Sequence, residues 1–177
     1  MSTSLKAYIP TLANYLRSTP AALYERQRAL VSGGFLTGGG RGPGAGVRAS
    51  ADSIALLLVA VLATDSLSDT VPQMITFGAA LPLDGKCPFT QQAHFARALA
   101  EILGSLPLSA KVEGAEVGRT TGTASIYYLQ RTRTMASLFE ARAVKQKLVP
   151  LDVRARLHGD VIKAVARDVV AITGEKG

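Results

Sequence analysis

The sequence is poor in the residues that build metal sites and disulfides, and it lacks the long apolar run that a membrane span needs. It has one cysteine, Cys87, and two histidines, His94 and His158, among 177 residues. A single cysteine excludes an intrachain disulfide, and so few thiol and imidazole ligands exclude a zinc finger. We therefore expect no metal ion and no cofactor. The most apolar run, residues 54–63, is too short to span a bilayer, which favours a cytoplasmic protein with no membrane partner.

Acidic residues are scarce at the start of the chain. The first 50 residues carry six basic residues against one acid, Glu25. Residues 51–109 reverse this balance with two basic and five acidic residues, and residues 110–177 carry twelve basic and seven acidic ones. The formal net charge of +7 suggests an anionic partner, most often nucleic acid.

Hydrophobic spacing and end signals predict helices first and strands later. Helices are expected from near Pro10 onward and over 20–32, 51–63, 68–80, 90–103 and 160–172. Strands are expected over 111–119, 123–130 and 135–140, and residues 151–157 alternate as a further strand would. The turn formers of 81–88 mark a linker. We predict an α+β fold with a DNA-binding domain at 1–80 and, at 89–177, a small α+β domain for oligomerisation or partner binding.

The segment "RSTP", residues 17–20, separates the first two helices. Ser18 or Thr19 can cap the second helix, Pro20 suits its first turn, and Gly33-Gly34 is a natural end. With Leu23 and Leu30 facing inward, the residues on the opposite side face solvent. An α-helix fits the major groove, and arginine pairs with guanine there, so the helix over 20–32 is the expected recognition helix. The predicted DNA contacts in this motif are Arg17, Ser18, Thr19, Ala21, Tyr24, Glu25, Arg26 and Arg28, with Tyr24 and Arg28 facing the groove.

The glycine-rich segment 37–48 suits the hairpin that follows such a helix, here called the wing. Glycines permit a tight tip, and strands near Phe35 and Val47 would anchor it. Arg41 at the tip and Arg48 on the return strand are expected to contact phosphates or the minor groove. A phosphate-binding loop is the rival interpretation, but the segment lacks the GK[ST] ending.

These two stretches, "LANYLRSTPAALYERQRALVSGGFL" and "GRGPGAGVRAS", resemble the winged helix-turn-helix of bacterial and prophage-type regulators. That group includes activators of gene transfer agents, and the resemblance covers about residues 8–80. It implies a sequence-specific transcription regulator that binds double-stranded DNA as a homodimer, with RNA polymerase or another protein as a further candidate partner.

Other functions are compatible with the same residues. One is a phage small-terminase-like packaging protein that forms rings, and another is a structural or adaptor protein whose basic faces meet acidic proteins. An enzyme is not expected, because no nucleophile has a base at a suitable place.

Two local questions stay open in the sequence. The apolar helix around Leu57 and Val61 is either core or a two-fold interface. The segment 131–134 is either a polar hairpin turn or a second phosphate contact.

Overall fold

The computed structural model describes residues 3–38, 46–141 and 151–174. Helices form where apolar periodicity and capping residues coincide. Ser4 accepts a hydrogen bond from the Ala7 amide at the start of α1, and Ser50 and Ser53 form a reciprocal capping box at the start of α3. The helices in these ranges are α1 (Leu5–Leu16), α2 (Pro20–Ser32), α3 (Ala51–Ala63), α4 (Thr70–Gly78), α5 (Phe95–Leu103), α6 (Leu106–Lys111) and α7 (Gly159–Thr173).

The strands form one antiparallel sheet, and they follow the β-branched and aromatic residues of the second half. Its order is β1-β4-β3-β2-β5. The strands are β1 (Leu81–Pro82), β2 (Val112–Gly118), β3 (Thr123–Gln130), β4 (Arg133–Glu140) and β5 (Arg154–His158). Ala115 pairs with Ile126 of β3 on one side and with Leu157 of β5 on the other, which fixes one row of the buried face. The predicted α+β class, with helices first and strands later, is confirmed.

Helix α3 lies at the centre and packs on α2, α4 and α5, with β2 and β5 also against it. Leu57 is 0% exposed within one chain, and Val61 is partly buried. Leu57 is therefore a core residue, and its side chain is not available to a two-fold interface. The same hydrophobic core contains residues from both sides of the predicted 81–88 linker, and β1 within that segment pairs with β4. Residues 81–88 are thus tied to the sheet and do not separate two cores.

Two expected helix starts need correction, and one helix has no predicted counterpart. Pro10 lies inside α1 and not in its first turn, because the helix already begins at Leu5, after the Ser4 cap. Helix α5 begins at Phe95, several residues after Thr90. Helix α6 has no counterpart among the predicted elements, although Ser105 caps it and a proline stands in its first turn. Its six residues are too few for a clear helical period.

Strands β3 and β4 are joined by a tight turn. Gln130 pairs with Arg133, and Arg131 between them adopts the left-handed conformation with φ 57°. The Thr134 hydroxyl donates to a carboxylate oxygen of Glu113 at 2.7 Å. Residues 131–132 therefore form a polar hairpin turn, and Arg133 and Thr134 begin β4.

Candidate nucleic-acid interface

Helices α1 and α2 are joined by a three-residue turn. Arg17 ends α1 in the left-handed conformation, with φ 50°, and its amide donates to carbonyls in the last turn. The Thr19 hydroxyl accepts from the Ala22 amide at 3.2 Å, and Pro20 follows as the first residue of α2. Thr19, and not Ser18, is therefore the cap. Leu12 and Ala13 of α1 are fully buried, as the close approach of a second helix requires.

The solvent side of this motif carries most of the residues predicted from the sequence. Arg17, Ser18, Thr19, Ala21, Glu25 and Arg28 are exposed, and Tyr24 is half-buried. A groove of about 660 Å³ runs beside α2, between Tyr24 and Arg28 on one wall and Leu67 and Ser68 on the other. The outward side of α2 is thus open to a ligand.

Arg28 lies on this side with a carboxylate as its neighbour. Its guanidinium donates to both oxygens of Glu25, at 3.1 and 3.2 Å, and the Arg28 side chain is 66% exposed. Exposed pairs of this kind contribute about 0–1 kcal/mol, so little energy opposes their exchange for another anion. The pair holds the guanidinium over the exposed side of α2.

Tyr24 has a cationic neighbour from α1 that is absent from the predicted contact set. The Lys6 ammonium lies 5.2 Å from the centre of the Tyr24 ring, and Lys6 is exposed. The helical periodicity of each segment contains no signal for this contact, since it depends on how α1 and α2 cross. Lys6 adds a positive charge to the candidate interface.

Arg26 is a correction to the predicted contact set. Its side chain is 7% exposed and points away from the solvent side of α2. It donates to the carbonyl of Ala60 at 3.2 Å, to the carbonyl of Asp65 at 3.2 Å and to the hydroxyl of Thr70 at 3.4 Å. Burial lowers the pKa of this guanidinium. Arg26 therefore joins α2 to the end of α3 and does not face a ligand.

A second arginine binds the same end of α3. Arg119, just after β2, donates to the carbonyls of Val61 and Leu62 and to both carboxylate oxygens of Asp65. The last carbonyls of a helix lack partners within the helix, and cations there also favour the helix dipole. The hydrogen bonds from Arg119 lower the pKa of Asp65. Arg26 thus holds α2, and Arg119 holds the end of β2, against the same end of α3.

Helix α1 has its own contact with the C-terminal helix. The Tyr8 hydroxyl donates to a carboxylate oxygen of Asp168 on α7 at 3.0 Å. Burial, and then the Asp168 charge, raise the pKa of Tyr8. The motif is thus held at both helices by the rest of the chain.

The predicted wing is only partly described, because its tip and Arg41 lie outside the described residues. The amides of Phe35 and Leu36 both donate to the Leu30 carbonyl, so these residues cap α2 instead of forming a strand. The return segment pairs with the N-terminus: the Leu5 amide donates to the Val47 carbonyl, and the Ala49 amide to the carbonyl of residue 3. In the described residues the expected first strand of the wing, at Phe35-Leu36, is therefore wrong, and the return segment at Val47 pairs with the N-terminal segment instead.

Arg48 of the return segment lies beside the start of α1. It is exposed, and its backbone pairs with that of Ser4. Lys6 follows Ser4 in the first turn of α1. The two cations are thus brought to the same end of α1, and from there Lys6 reaches Tyr24 of α2.

Residues that could support other chemistry are dispersed or buried. Cys87 is fully buried and its thiol donates to Ser137 at 3.3 Å, while His94 is exposed ahead of α5. In the ranges that the structure describes, no three metal-binding side chains cluster. No helix within those ranges combines the length and apolar character needed to cross a membrane.

No family model matches the chain, and no curated protein or solved structure shows significant similarity to it. The geometry of the described residues is therefore the basis for any functional assignment.

Proposed function

We propose that the protein is a non-enzymatic transcription regulator of the cytoplasm that binds specific sites in double-stranded DNA. Helix α2 enters the major groove with Arg28 and Tyr24, and the turn residues 17–19 contact the backbone. The observation that carries this proposal is the open, exposed side of α2, which follows a three-residue turn and is fixed from behind by Arg26. A recognition helix has to be held rigidly while one side stays free.

The charges around this side support a DNA ligand. Lys6, Arg17 and Arg48 are exposed, and none of the three has an acidic partner in the described ranges. The backbone of Arg48 pairs with that of Ser4, which caps α1. Lys6 lies in the first turn of the same helix, and its ammonium lies beside the Tyr24 ring of α2. Lys6 and Arg48 at the start of α1 and Arg17 at its end suit contacts with DNA phosphates, whereas base edges are read by the residues of α2.

A homodimer remains part of the proposal, although Leu57 of α3 is not available to its interface. Two copies would place two α2 helices about 34 Å apart, one turn of DNA, and would require a pseudo-palindromic site. Ring formation instead of dimerisation would favour a packaging role, so the mass in solution separates these functions.

The experiment is selection of bound sequences from a random double-stranded DNA library, followed by affinity measurement at several salt concentrations. We expect one enriched motif with paired half-sites. The matched control is Arg28→Ala, because the Arg28 side chain is 66% exposed and we expect its loss to leave the fold intact. Binding with no enriched motif, in both the wild type and Arg28→Ala, would contradict sequence-specific recognition.

A further inference from the structure

The two edges of the sheet differ in what they can bind. Strand β1 forms one edge and contains Pro82, which has no amide hydrogen to offer. Strand β5 forms the other edge and, among the described strands, pairs only with β2. No proline interrupts β5, so its outer edge retains all its backbone donors.

The register identifies which backbone groups of β5 face outward. The Arg119 amide donates to the Val153 carbonyl at 2.8 Å, and the same register pairs Val117 with Ala155 and Ala115 with Leu157. Hydrogen-bonded and non-bonded pairs alternate along an antiparallel ladder. Residues 155 and 157 therefore bond to β2, while the amides and carbonyls of residues 154 and 156 point to the free edge. No backbone partner for them occurs among the described residues.

This edge lies in a cleft of about 540 Å³. Four consecutive β5 residues, 155–158, line it. Side chains of a strand alternate between faces, so four in a row line a cleft only if the backbone edge itself is exposed there. Leu58, Val61 and Leu62 of α3 form an apolar floor, and the end of α1 with Arg17 forms the opposite wall.

The charge of the cleft favours an acidic ligand. Asp65 is the carboxylate that lines the cleft, and Arg119 already neutralises its charge through two hydrogen bonds. Arg17 lines the cleft without an acidic partner in the part of the chain that the structure describes. The Arg156 guanidinium crosses over Gly114 of β2 to the Tyr127 ring of β3, 5.2 Å from its centre, so it is directed away from the free edge and Arg17 is the cation available to a ligand there.

We propose that the β5 edge binds an extended acidic segment of a partner protein by strand addition. The backbone of the segment pairs with the amide and carbonyl of Arg156, its apolar side chains contact the α3 floor, and a carboxylate pairs with Arg17. Main-chain bonds supply affinity in this mode, and the side-chain pockets supply selectivity. A five-residue strand offers about 17 Å of edge, enough for a short linear segment. The main-chain pairing at β5 is independent of DNA binding by α2, whereas Arg17 belongs to both proposed contacts.

The test starts from a displayed library of random octapeptides selected on the purified full chain. We expect enriched peptides in which acidic residues alternate with β-branched ones. Each enriched peptide is then synthesised unmodified and in two N-methylated forms, one methylated at the odd residues and one at the even residues. Methylation removes amide donors while charge and side chains stay, so the form that is methylated on the amides facing β5 should bind about tenfold or more weakly, and the other form should bind much as the unmodified peptide does.

A pair of variants tests the protein side of the contact. Arg156→Pro removes the outward amide, and proline is tolerated at an edge whose N–H side faces solvent. Arg156→Ala keeps that amide and loses the guanidinium. We expect Arg156→Pro to weaken peptide binding about tenfold and Arg156→Ala to weaken it much less, while circular dichroism and DNA affinity of both stay unchanged.

Three results would overturn strand addition at β5: no peptide is enriched, N-methylation has no effect, or peptides bind Arg156→Pro as well as wild type. If Arg156→Pro fails to fold, the N-methylated peptides decide the matter alone. An enriched motif in DNA selection with no enriched peptide would leave the proposed function standing and reject this one.

Discussion

The two sides of α2 show how one residue type can have opposite roles two positions apart. Arg28 is 66% exposed and pairs with a neighbouring carboxylate on its own helix. Arg26 is buried and donates to carbonyls of Ala60 and Asp65, which belong to other parts of the chain. Two positions correspond to about 200° around a helix, so the two arginines cannot share a side.

A helix rich in arginine is therefore not basic in every direction. The buried position accepts an arginine because the end of α3 presents carbonyls that have no partner within their helix. Arg26 supplies planar donors in a fixed arrangement, which an apolar side chain would not. The exposed side then depends on the buried one, because Arg26 holds α2 while Arg28 stays available to a ligand.

The largest effect is expected from Arg26→Ala. It would leave several buried acceptors without a donor and open a cavity between α2 and α3, so the free energy of unfolding should fall by about 2–4 kcal/mol. Urea unfolding followed by circular dichroism measures this change. Arg28→Ala is the matched control on the same helix and should alter the free energy of unfolding by less than about 0.5 kcal/mol. Equal effects of the two variants would mean that the burial of Arg26 does not stabilise the fold.

The second effect is on DNA binding, and here the change at Arg28 should matter more than the change at Arg26. Arg28→Ala should lose about 1–3 kcal/mol of binding free energy at a selected site and should relax the base preference at one position. Titrations against the selected site and its single-base variants measure both quantities. Unchanged affinity and unchanged preference would show that Arg28 does not contact bases. The affinity of Tyr24→Ala would then show whether only Arg28 is wrongly assigned or whether α2 as a whole is not the recognition helix.

A smaller effect is expected from the cations beside α2. Lys6→Ala and Arg48→Ala should each weaken binding about equally for all sequences, and each should reduce the slope of log affinity against log salt by about one unit. Lys163→Ala on α7 is a control, because Lys163 has an acid of its own helix, Asp160, at 3.7 Å. If Lys6→Ala and Arg48→Ala leave the salt slope unchanged, the DNA backbone does not contact these two residues.

Much of the fold follows from local signals, whereas the candidate interface does so only in part. The predicted limits of α2 and α3 agree with the structure because Thr19 and Ser50 cap their starts, and Gly33 ends α2. The burial of Arg26 and the contact of Lys6 with Tyr24 depend on how helices cross, which periodicity within one segment does not encode. The pairing of Val47 with Leu5 joins segments far apart in the chain, so the glycine-rich segment alone suggested the wrong strand partner.

The smallest effect tests whether Arg26 depends on the charge of Asp65 or only on its backbone. Asp65→Asn removes the carboxylate bound by Arg119 and keeps the carbonyl bound by Arg26. The pKa of Asp65 is lowered in the folded chain, chiefly by the Arg119 hydrogen bonds, so its contribution to stability is present above the unfolded pKa of about 3.9. That contribution is lost as the pH falls through the lower folded pKa.

Because the Asp65 side chain is 89% exposed, solvent screening limits this contribution to less than about 1 kcal/mol. We expect Asp65→Asn to lose that small amount at neutral pH and to flatten the decline of stability below about pH 4. Urea unfolding between about pH 3 and pH 7, in wild type and in Asp65→Asn, measures the difference. A loss as large as that of Arg26→Ala would mean that the buried side of α2 is held through the Asp65 charge. The expected small loss assigns that role to the carbonyls at the end of α3.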